Sequence, residues 1–261
     1  MSAAAVTSES DPRISVRGLT MAYGSFVVMR DLDFDIMPRD IFVIMGGSGC
    51  GKSTLMRHLI GLREPAAGTI EYDGRDFTNA DPAARAEMIR RFGVMYQSGA
   101  LWSSLTLAEN IALPLEEHTR LPAATIREIV AYKLALVGLS GFEDYYPSEI
   151  SGGMNKRAGI ARAMALDPDI LFLDEPGAGL DPLSSRRLDD LILRLRDALG
   201  STIVIVTHEL ASIFAVANNS VFLDTNTRTL GATGDPVNLR EHAEAPVVRD
   251  FLNRGESGGD D

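Results

Sequence analysis

Two kinds of hydrophobic pattern divide the chain. Apolar and polar residues alternate over residues 13–17 and 32–36, which is typical of strands with one buried face. Residues 23–25 contain a glycine and predict a turn between these strands. Other runs are short and almost wholly apolar, at 41–45, 170–173 and 203–206. Such runs predict strands covered on both faces, as in a parallel sheet.

Helical patterns accompany the apolar strands. One helix begins near Lys52, and another spans about 153–166 before the turn at 167–169. A further helix spans about 182–199 and ends at Gly200, because glycine readily takes the left-handed cap conformation. The sequence therefore predicts an α/β core that opens with a small antiparallel β subdomain.

Strand signals disappear between about 98 and 150. Residues 105–115 and 126–137 instead have helical patterns, separated by a proline-containing stretch at 114–122. An inserted helical subdomain at about 98–158 is the simplest interpretation. We expect a flexible N-terminal tail at 1–12, the main domain at 13–240, and a C-terminal extension at 241–261 whose acidic end is disordered.

Composition narrows the classes of function. The chain has 25 basic and 36 acidic residues and a net charge of −11, which disfavours nucleic acid as a partner. Hydrophobic residues make up 45% of the chain, so a folded core is expected.

A single cysteine, Cys50, excludes an intrachain disulfide and a cysteine metal cage. No apolar run approaches the roughly 20 residues of a membrane-spanning helix, and residues 1–11 lack the pattern of a secretion signal, so we expect a cytoplasmic protein.

A complete phosphate-loop pattern follows the strand at 41–45 and opens the next helix. Its residues are Gly46, Gly47, Ser48, Gly49, Cys50, Gly51, Lys52 and Ser53, followed by Thr54. Glycines allow successive backbone N–H groups to turn towards a triphosphate, and the helix N-terminus adds a favourable dipole. Lys52 is expected against the β and γ phosphates and the Ser53 hydroxyl on Mg²⁺. A glycine-rich turn that binds nothing is the alternative. We interpret Cys50 as a spacing residue that is open to oxidation.

Two adjacent carboxylates end the apolar run at 170–173. Asp174 is suited to hold Mg²⁺, and Glu175 is suited to polarise the water that attacks the γ phosphate. Taken alone, adjacent acids at a strand end are more often a solvated loop. Together with a phosphate loop, they favour a nucleotide site.

At these residues the sequence resembles the ATP-binding subunits of ABC transporters, over roughly residues 14–234. Ile150, Ser151, Gly152, Gly153 and Met154 resemble the family's signature, in which glutamine usually stands where this chain has Met154. The resemblance implies a P-loop NTPase core of ABC type, with ATP and Mg²⁺ as ligands. It extends to further positions with expected roles: Gln97 in the Q-loop as a Mg²⁺ ligand and catalytic residue, Asp181 in the D-loop, His208 as the switch histidine, and Tyr23 as the aromatic that stacks on adenine. We interpret His58, His118 and His242 as structural.

Ser151, Gly152 and Gly153 form a second small-residue corner at a helix start, although one ATP already fills the phosphate loop. The resemblance implies that two copies pack head to tail, so that each signature closes over the partner's ATP. Because the chain carries one set of motifs, two copies are needed for two complete sites.

Two details resemble the ATPases of Mla-type transporters, the MCE systems that move phospholipids between bacterial inner and outer membranes. They are Met154 in the signature and the Ser-Gly-Ala-Leu-Trp run after Gln97. This resemblance implies a membrane permease, an MCE substrate-binding protein and a STAS-domain protein as partners, at the cytoplasmic face of the inner membrane. The apolar stretch at 97–106 is a candidate to receive a permease coupling helix, and ordinary subdomain core is the alternative.

Near the C-terminus, residues 246–253 have the pattern of a short amphipathic docking segment. Its apolar residues are Val247, Val248, Phe251 and Leu252, and a frayed end is the alternative.

Other functions remain open from the sequence. They are an ATPase of another ABC importer, such as one for amino acids or ions, and a non-transport ABC protein of iron–sulfur assembly or translation. The sequence gives less support to a GTPase. The segment of Asn155, Lys156, Arg157 and Ala158 lacks the acidic residue of the motif that recognises guanine. A scaffold role would require an inert phosphate loop.

Overall fold

A computed structural model describes residues 11–97 and 99–254. The chain divides into two compact units. Unit 1 comprises Met1–Ile89 and Ala217–Asp261, and unit 2 comprises Arg90–Val216. The expected flexible N-terminal tail, Ser98 and the acidic end at 255–261 lie wholly or largely outside the described residues.

The described helices and strands alternate as the α/β pattern predicts. In chain order they are β1 (Ile14–Tyr23), β2 (Phe26–Ile36), β3 (Ile41–Gly46), α1 (Lys52–Leu59), β4 (Ala67–Tyr72), β5 (Arg75–Asp76), α2 (Pro82–Ile89), β6 (Phe92–Met95), α3 (Leu107–His118), α4 (Ala123–Leu136), a 3-10 helix (Pro147–Glu149), α5 (Gly152–Ala163), β7 (Ile170–Asp174), α6 (Pro182–Leu199), β8 (Thr202–Val206), α7 (Leu210–Val216), β9 (Asn219–Asp224), β10 (Thr229–Thr233), α8 (Pro236–His242) and α9 (Pro246–Asn253).

Unit 1 contains the expected antiparallel sheet, with strand order β2-β1-β4-β5. The turn at Gly24 and Ser25 joins β1 to β2, and Tyr23 pairs with Phe26 beside it. In the same unit, β3 pairs in parallel with β9, and β10 pairs antiparallel with β9. Every residue of β3 is buried, as its continuous apolar sequence predicts. This strand carries the phosphate loop at its carboxyl end.

Unit 2 contains three parallel strands in the order β8-β7-β6. Asp174, the last residue of β7, pairs with Val206, the last residue of β8. Because parallel strands end at the same edge, the segments after β7 and β8 leave this edge together. The segments that carry Glu175 and His208 are those two connections.

The helical region of unit 2 contains the two predicted helices, α3 and α4. The prediction that Pro114 lies between them is wrong, because Pro114 lies inside α3. A proline in a helix interior removes one backbone donor and crowds the preceding turn. Here Leu107, Ile111 and Leu115 are buried along the same helix, and this tertiary packing outweighs the local cost.

The C-terminal segment is a structural helix of unit 1. The prediction that the apolar residues of 246–253 form a docking face is wrong, and 246–253 is not frayed; the acidic end at 255–261 lies outside the described residues. Val248, Phe251 and Leu252 of α9 are buried, and the Phe251 ring packs edge-on against Phe222 of β9 with centroids 5.2 Å apart. The apolar face of α9 therefore packs against other residues of unit 1.

Candidate functional site

The phosphate loop of unit 1 requires glycine for two separate reasons. Gly46, Gly49 and Gly51 have φ values of 145°, 75° and 105°, in the region that side chains disfavour. A Cβ on Gly46 would stand 2.8 Å from both Cys50 Sγ and the Leu223 carbonyl oxygen. By contrast, a Cβ on Gly47 or Gly49 would meet no atom within 4 Å. The loop is thus tightly supported from below and has open space over Gly47 and Gly49, where phosphate oxygens can approach.

Lys52 begins α1 and folds back over this loop. Its Nζ donates hydrogen bonds to the carbonyl oxygens of Gly46 and Gly47, both at 3.0 Å, and the residue is 7% exposed. Gly51 caps α1 without a side-chain hydrogen bond, so the first backbone N–H groups of the helix have no side-chain cap. The Lys52 ammonium and the uncapped N-terminus of α1 therefore lie at the same loop.

Cys50 is buried beneath the loop. Burial raises the pKa of its thiol, while Lys52 acts in the opposite direction. The thiolate is the form that reacts with oxidants, so this environment disfavours oxidation. The expectation that Cys50 is open to oxidation is not supported, whereas its role in spacing the loop agrees with the contact that a Gly46 Cβ would make.

Tyr23 ends β1 with 43% of its surface exposed. The guanidinium carbon of Arg63 lies 3.9 Å from the centroid of its ring, and its hydroxyl lies 3.5 Å from Thr54 Oγ1. The hydrogen bond between the Tyr23 and Thr54 hydroxyls is the main cause that lowers the pKa of Tyr23. Unit 1 therefore brings an aromatic ring close to Thr54, the third residue of α1.

In unit 2, the carboxylate of Glu175 is held directly after β7. Glu175 has a φ of 48°, and its backbone N–H donates to the Val206 carbonyl oxygen at 2.8 Å. Its Oε1 lies 2.8 Å from Nδ1 of His208. Its Oε2 is buried, and no described residue hydrogen-bonds to it. A buried carboxylate oxygen without a partner is suited to accept a proton from a bound water.

Lys156 is a site residue that the sequence interpretation missed. Its Nζ donates to the carbonyl oxygens of Gln97 and of Glu175, the latter at 3.2 Å. Burial is the main cause that lowers the pKa of Lys156, and the nearby carboxylates of Glu175, Glu209 and Asp174 oppose it. One signal was available, because a lysine four residues before the buried Ile160 lies on the apolar face of α5.

The signature residues form the start of α5. Ser151 is its N-cap and accepts a hydrogen bond from the Met154 backbone N–H at 3.3 Å. Ser151 and Gly152 are exposed, and a Cβ on Gly152 would meet no atom within 4 Å. A Cβ on Gly153 would come no closer than 3.8 Å to Leu180 and Ser184. This helix start is open on its outer side.

Asp181 is the N-cap of α6. Its Oδ1 accepts hydrogen bonds from the backbone N–H groups of Leu183 and Ser184, both at 3.0 Å. Hydrogen bonds from Ser184 are the main cause that lowers the pKa of this exposed carboxyl. The candidate D-loop residue therefore also fixes the start of a long helix.

The predicted site residues form two groups, one in each unit. Unit 1 gathers the phosphate loop, Thr54 and Tyr23. Unit 2 gathers Glu175, His208 and the backbone of Gln97 around Lys156, while Ser151 and Asp181 each cap a helix. Within residues 11–97 and 99–254, no three histidine, cysteine or acidic side chains cluster so as to hold a metal ion. Ser53 in unit 1 and Asp174 in unit 2 each carry oxygen atoms of the kind that Mg²⁺ binds.

A family model described as "ABC transporter" matches residues 29–178, more than half of the chain. The chain belongs to the ABC transporter family. The chain is therefore an ATP-binding subunit that hydrolyses ATP, and the predicted family and enzyme class are confirmed.

Named relatives extend over nearly all of the chain. It is 42% identical over 240 residues to a probable ribonucleotide transport ATP-binding protein, mkl, of Mycobacterium tuberculosis (strain ATCC 25618 / H37Rv), covering 92% of this chain and 66% of that protein. It is 39% identical over 246 residues to the intermembrane phospholipid transport system ATP-binding protein MlaF of Haemophilus influenzae, covering 94% and 92%. MlaF of Escherichia coli (strain K12) is 35% identical over 240 residues, covering 92% and 88%. The chain thus spans about two thirds of the mycobacterial relative and most of the MlaF proteins.

Solved structures confirm the predicted fold class. CbiO1 from Clostridium perfringens, part of the ABC transporter complex cbiONQ, has a TM-score of 0.81 at 26% identity, covering 94% of this chain and 96% of that one. A dimeric ATP-binding cassette in a post-hydrolysis state, bound to ADP and Pi, has a TM-score of 0.76 at 25% identity, covering 85% and 98%. Among the described residues of this chain, no helix is both long enough and apolar enough to cross a bilayer.

Proposed function

We propose that this ATPase powers the movement of phospholipids between the inner and outer membranes of a bacterium, at the cytoplasmic face of the inner membrane. The observation that carries the proposal is the match to MlaF of Haemophilus influenzae, at 39% identity over more than nine tenths of both chains. Met154 in the signature, which distinguishes the chain from the usual family pattern, supports the same assignment.

In the proposed reaction, the phosphate loop binds the triphosphate of ATP through backbone N–H groups and Lys52. Nucleotide binding draws the Lys52 ammonium from the Gly46 and Gly47 carbonyls towards the β and γ phosphates. Tyr23 stacks on adenine. Ser53, Asp174 and the Gln97 side chain would hold Mg²⁺, which would supply positive charge to offset that of the triphosphate.

Glu175 acts as the general base. Its free Oε2 accepts a proton as a water oxygen bonds to the γ phosphorus and the bond to the bridging oxygen of ADP breaks, which yields ADP and phosphate. His208 is oriented by Glu175 Oε1 and donates a hydrogen bond to the γ phosphate. Lys156 neutralises part of the negative charge of this cluster and holds the backbone on either side of it.

Two copies form the working unit. The exposed start of α5 at Ser151 and Gly152 closes over the ATP held by the second copy, and Asp181 lies in the same seam. Hydrolysis removes the γ-phosphate contacts that join the two copies, so the chemical step becomes a movement. The dimeric state of the related cassette bound to ADP and Pi supports this arrangement.

The permease docks in the helical region of unit 2. A groove of about 580 Å³ there has an apolar floor that includes Leu105, Leu113, Ile126 and Val130. Its rim carries four acidic residues and one basic residue: Glu109, Glu116, Glu143, Asp144 and Arg127. An amphipathic permease helix with basic flanks matches this chemistry. An MCE protein and a STAS-domain protein complete the proposed complex.

The loop at one end of this groove is well supported. Asn110 is fully buried, its side-chain oxygen accepts from the Trp102 N–H, and its amide donates to the carbonyls of Trp102, Leu105 and Thr106. Trp102 itself is 59% exposed. A rigid backbone that presents an exposed aromatic side chain supports a docking role for the stretch at 97–106, of which Ser98 lies outside the described residues.

The experiment uses tagged wild-type chain and a tagged Glu175→Gln variant, each isolated with its complex from membranes. We expect the variant to bind ATP, to hydrolyse it at least about 100-fold more slowly, and to accumulate as a dimer in light scattering. Mass spectrometry of the wild-type complex is expected to find a permease, an MCE protein and phospholipid. Unchanged turnover in the variant would refute the role of Glu175.

A second candidate cargo is a ribonucleotide, which the name of the mycobacterial relative suggests at 42% identity. That relative is longer, so the name covers a region that this chain does not span. Recovery of a solute-binding protein and bound nucleotide in place of MCE protein and phospholipid would favour this alternative. Recovery without any permease would favour a non-transport ABC protein.

A further inference from the structure

A buried hydrogen-bonded group joins α6 to α7 in unit 2. Ser212 Oγ of α7 donates to Asp189 Oδ2 of α6 at 3.1 Å, and Ser185 Oγ of α6 lies 3.5 Å from Ser212 Oγ. Asp189 and Ser212 are each 8% exposed. We call Ser185, Asp189 and Ser212 the α6–α7 clasp. None of the three belongs to a motif of the nucleotide site.

Each helix of the clasp continues from a loop of the candidate site. The α6 helix begins at its cap Asp181, two turns before Asp189, and α7 begins two residues after His208. His208 in turn contacts Glu175 Oε1 at 2.8 Å. The clasp therefore connects the helix behind the D-loop to the helix behind the switch histidine.

The loop that follows Glu175 also reaches the clasp. A Cβ on Gly177 would stand 2.7 Å from Glu209 Oε2 and 3.2 Å from Ser185 Oγ. A larger residue at this position would require the Glu209 and Ser185 side chains to shift. Three segments of unit 2, after Glu175, around Asp181 and after His208, thus meet at one point.

Asp189 is an unfavourable residue to bury in this place. Burial is the main cause that raises its pKa to about 6, the hydrogen bond from Ser212 opposes this rise, and the charges of Glu209 and Asp190 add to it. Besides these acids, Arg186 lies one turn earlier on α6 and is exposed, and α7 itself contains no charged residue. A buried carboxylate with neighbouring acids weakens folding at neutral pH, and such groups concentrate at functional sites.

We propose that Asp189 is a positioning residue for ATP hydrolysis: through Ser212 it fixes α7 against α6, so that His208 stays in hydrogen-bonding contact with Glu175 while Asp181 keeps its place. This inference rests on the proposed roles of Glu175 and His208. It assigns Asp189 no contact with ATP. The expected consequence is a loss in kcat without a comparable change in KM.

The first test compares the purified full-length wild-type chain with Asp189→Leu and Ser212→Ala. Removal of a buried hydrogen bond to a charged group is expected to lower kcat about tenfold in each variant, with KM for ATP within about twofold of wild type. The kcat of the double variant is expected to lie within about twofold of the kcat of the slower single variant, because both changes break the same interaction.

Ser201→Ala is the matched control. Ser201 is also 8% exposed and donates one buried hydrogen bond, to the Pro168 carbonyl oxygen at 2.9 Å, but it precedes β8 at the opposite end from His208. It is expected to lower the melting temperature about as much as Ser212→Ala while kcat stays within about twofold of wild type. Equal kcat values for Ser212→Ala, Ser201→Ala and wild type overturn the proposal, even if Asp189→Leu fails to fold.

The second test follows pH with Asp189→Asn and the control Asp197→Asn, an exposed acid on the same helix that does not act on the pKa of Asp189. The carboxyl of Asp189 gains a proton as pH falls through about 6, which removes its charge from the hydrogen bond with Ser212. Between pH 7.5 and 5.5, protonation of Asp189 is therefore expected to lower the kcat of the wild-type chain. Asp189→Asn has no carboxyl to protonate at this position, so the ratio of variant kcat to wild-type kcat rises as pH falls. The ratio for Asp197→Asn is expected to stay constant.

A constant ratio for Asp189→Asn overturns the proposal. Because the folded pKa lies above the ordinary value of 3.8, stability falls as pH rises between those values, and Asp189→Asn is expected to melt higher than wild type at pH 7.5. Absence of ATPase activity in wild type would refute the proposed function itself. Active wild type with indifferent clasp variants refutes only this inference.

Discussion

The three lysines of this chain show how much a single residue depends on its surroundings. Lys52, Lys133 and Lys156 are the only lysines in the sequence, and all three are at most 8% exposed. Each donates to a backbone carbonyl or a carboxylate: Lys52 to the phosphate loop, Lys133 to Asp167, and Lys156 to Gln97 and Glu175. Only Lys52 belongs to a sequence motif from which a role can be predicted.

Lys156→Met is expected to lower kcat for ATP hydrolysis about tenfold while the affinity for ATP stays within about threefold. Methionine keeps most of the side-chain volume but leaves the carbonyl oxygens of Gln97 and Glu175 without their donor. The measurement is steady-state ATPase activity of the full chain together with equilibrium binding of ATP.

Lys133→Met provides the comparison, because it removes an equally buried ammonium that binds Asp167 in the same unit. It is expected to reduce stability and to leave kcat unchanged. Equal effects of the two substitutions on kcat would show that Lys156 acts only through stability.

At the scale of elements, local signals located the helix ends better than they located the partners of each helix. Gly200 ends α6 in the left-handed conformation, with φ of 66°, as its position after the helical pattern predicts. The amphipathic pattern of α9 was also correct, but pattern alone does not say what covers the apolar face. That face is covered by β9 and β10 of the same unit, as the contacts of Phe251 with Phe222 and of Val248 near Gly231 show.

Phe251→Ala is expected to lower the free energy of unfolding by about 3 kcal/mol, because it removes a nearly buried ring from the face of β9. Urea denaturation followed by circular dichroism measures this change. Val237→Ala on α8, where the side chain is 46% exposed, is expected to change stability by less than about 0.5 kcal/mol. A Phe251→Ala variant as stable as wild type would contradict this packing of α9.

At the scale of the whole molecule, the candidate motifs are divided between the two units. The phosphate loop belongs to unit 1, and Glu175, His208 and the signature belong to unit 2. ATP binding by the native state is therefore expected to stabilise the chain as a whole, since a ligand that binds only the folded protein shifts the unfolding equilibrium.

With ATP and Mg²⁺ at 100 times the dissociation constant, we expect an increase of about 2.7 kcal/mol in the free energy of unfolding. Urea titrations of the full chain with and without nucleotide measure this increase. Lys52→Ala is expected to abolish it at the same nucleotide concentration, whereas Lys133→Met keeps it. A wild-type chain that ATP does not stabilise would contradict the nucleotide site.

Particular residues show which features of the site can be predicted from the sequence. The phosphate loop, the acidic end of β7 and the signature were all predictable, because each chemistry needs a fixed residue type at a fixed spacing along one continuous segment. The bond between His208 and Glu175 was not, since 33 residues separate them. Lys156 and the α6–α7 clasp were missed for the same reason, because their partners come from other elements.

The sequence alone therefore determined the family, the α/β class and the position of the phosphate-loop motif after a buried strand, all of which depend on neighbours along the chain. The tertiary structure decided which polar groups are buried together: Glu175 with His208, Lys156 with two backbone carbonyls, and Asp189 with Ser212. It also decided that the apolar face of α9 is internal. Burial and hydrogen bonding between distant segments depend on how the elements pack, and packing places residues together that no local pattern relates.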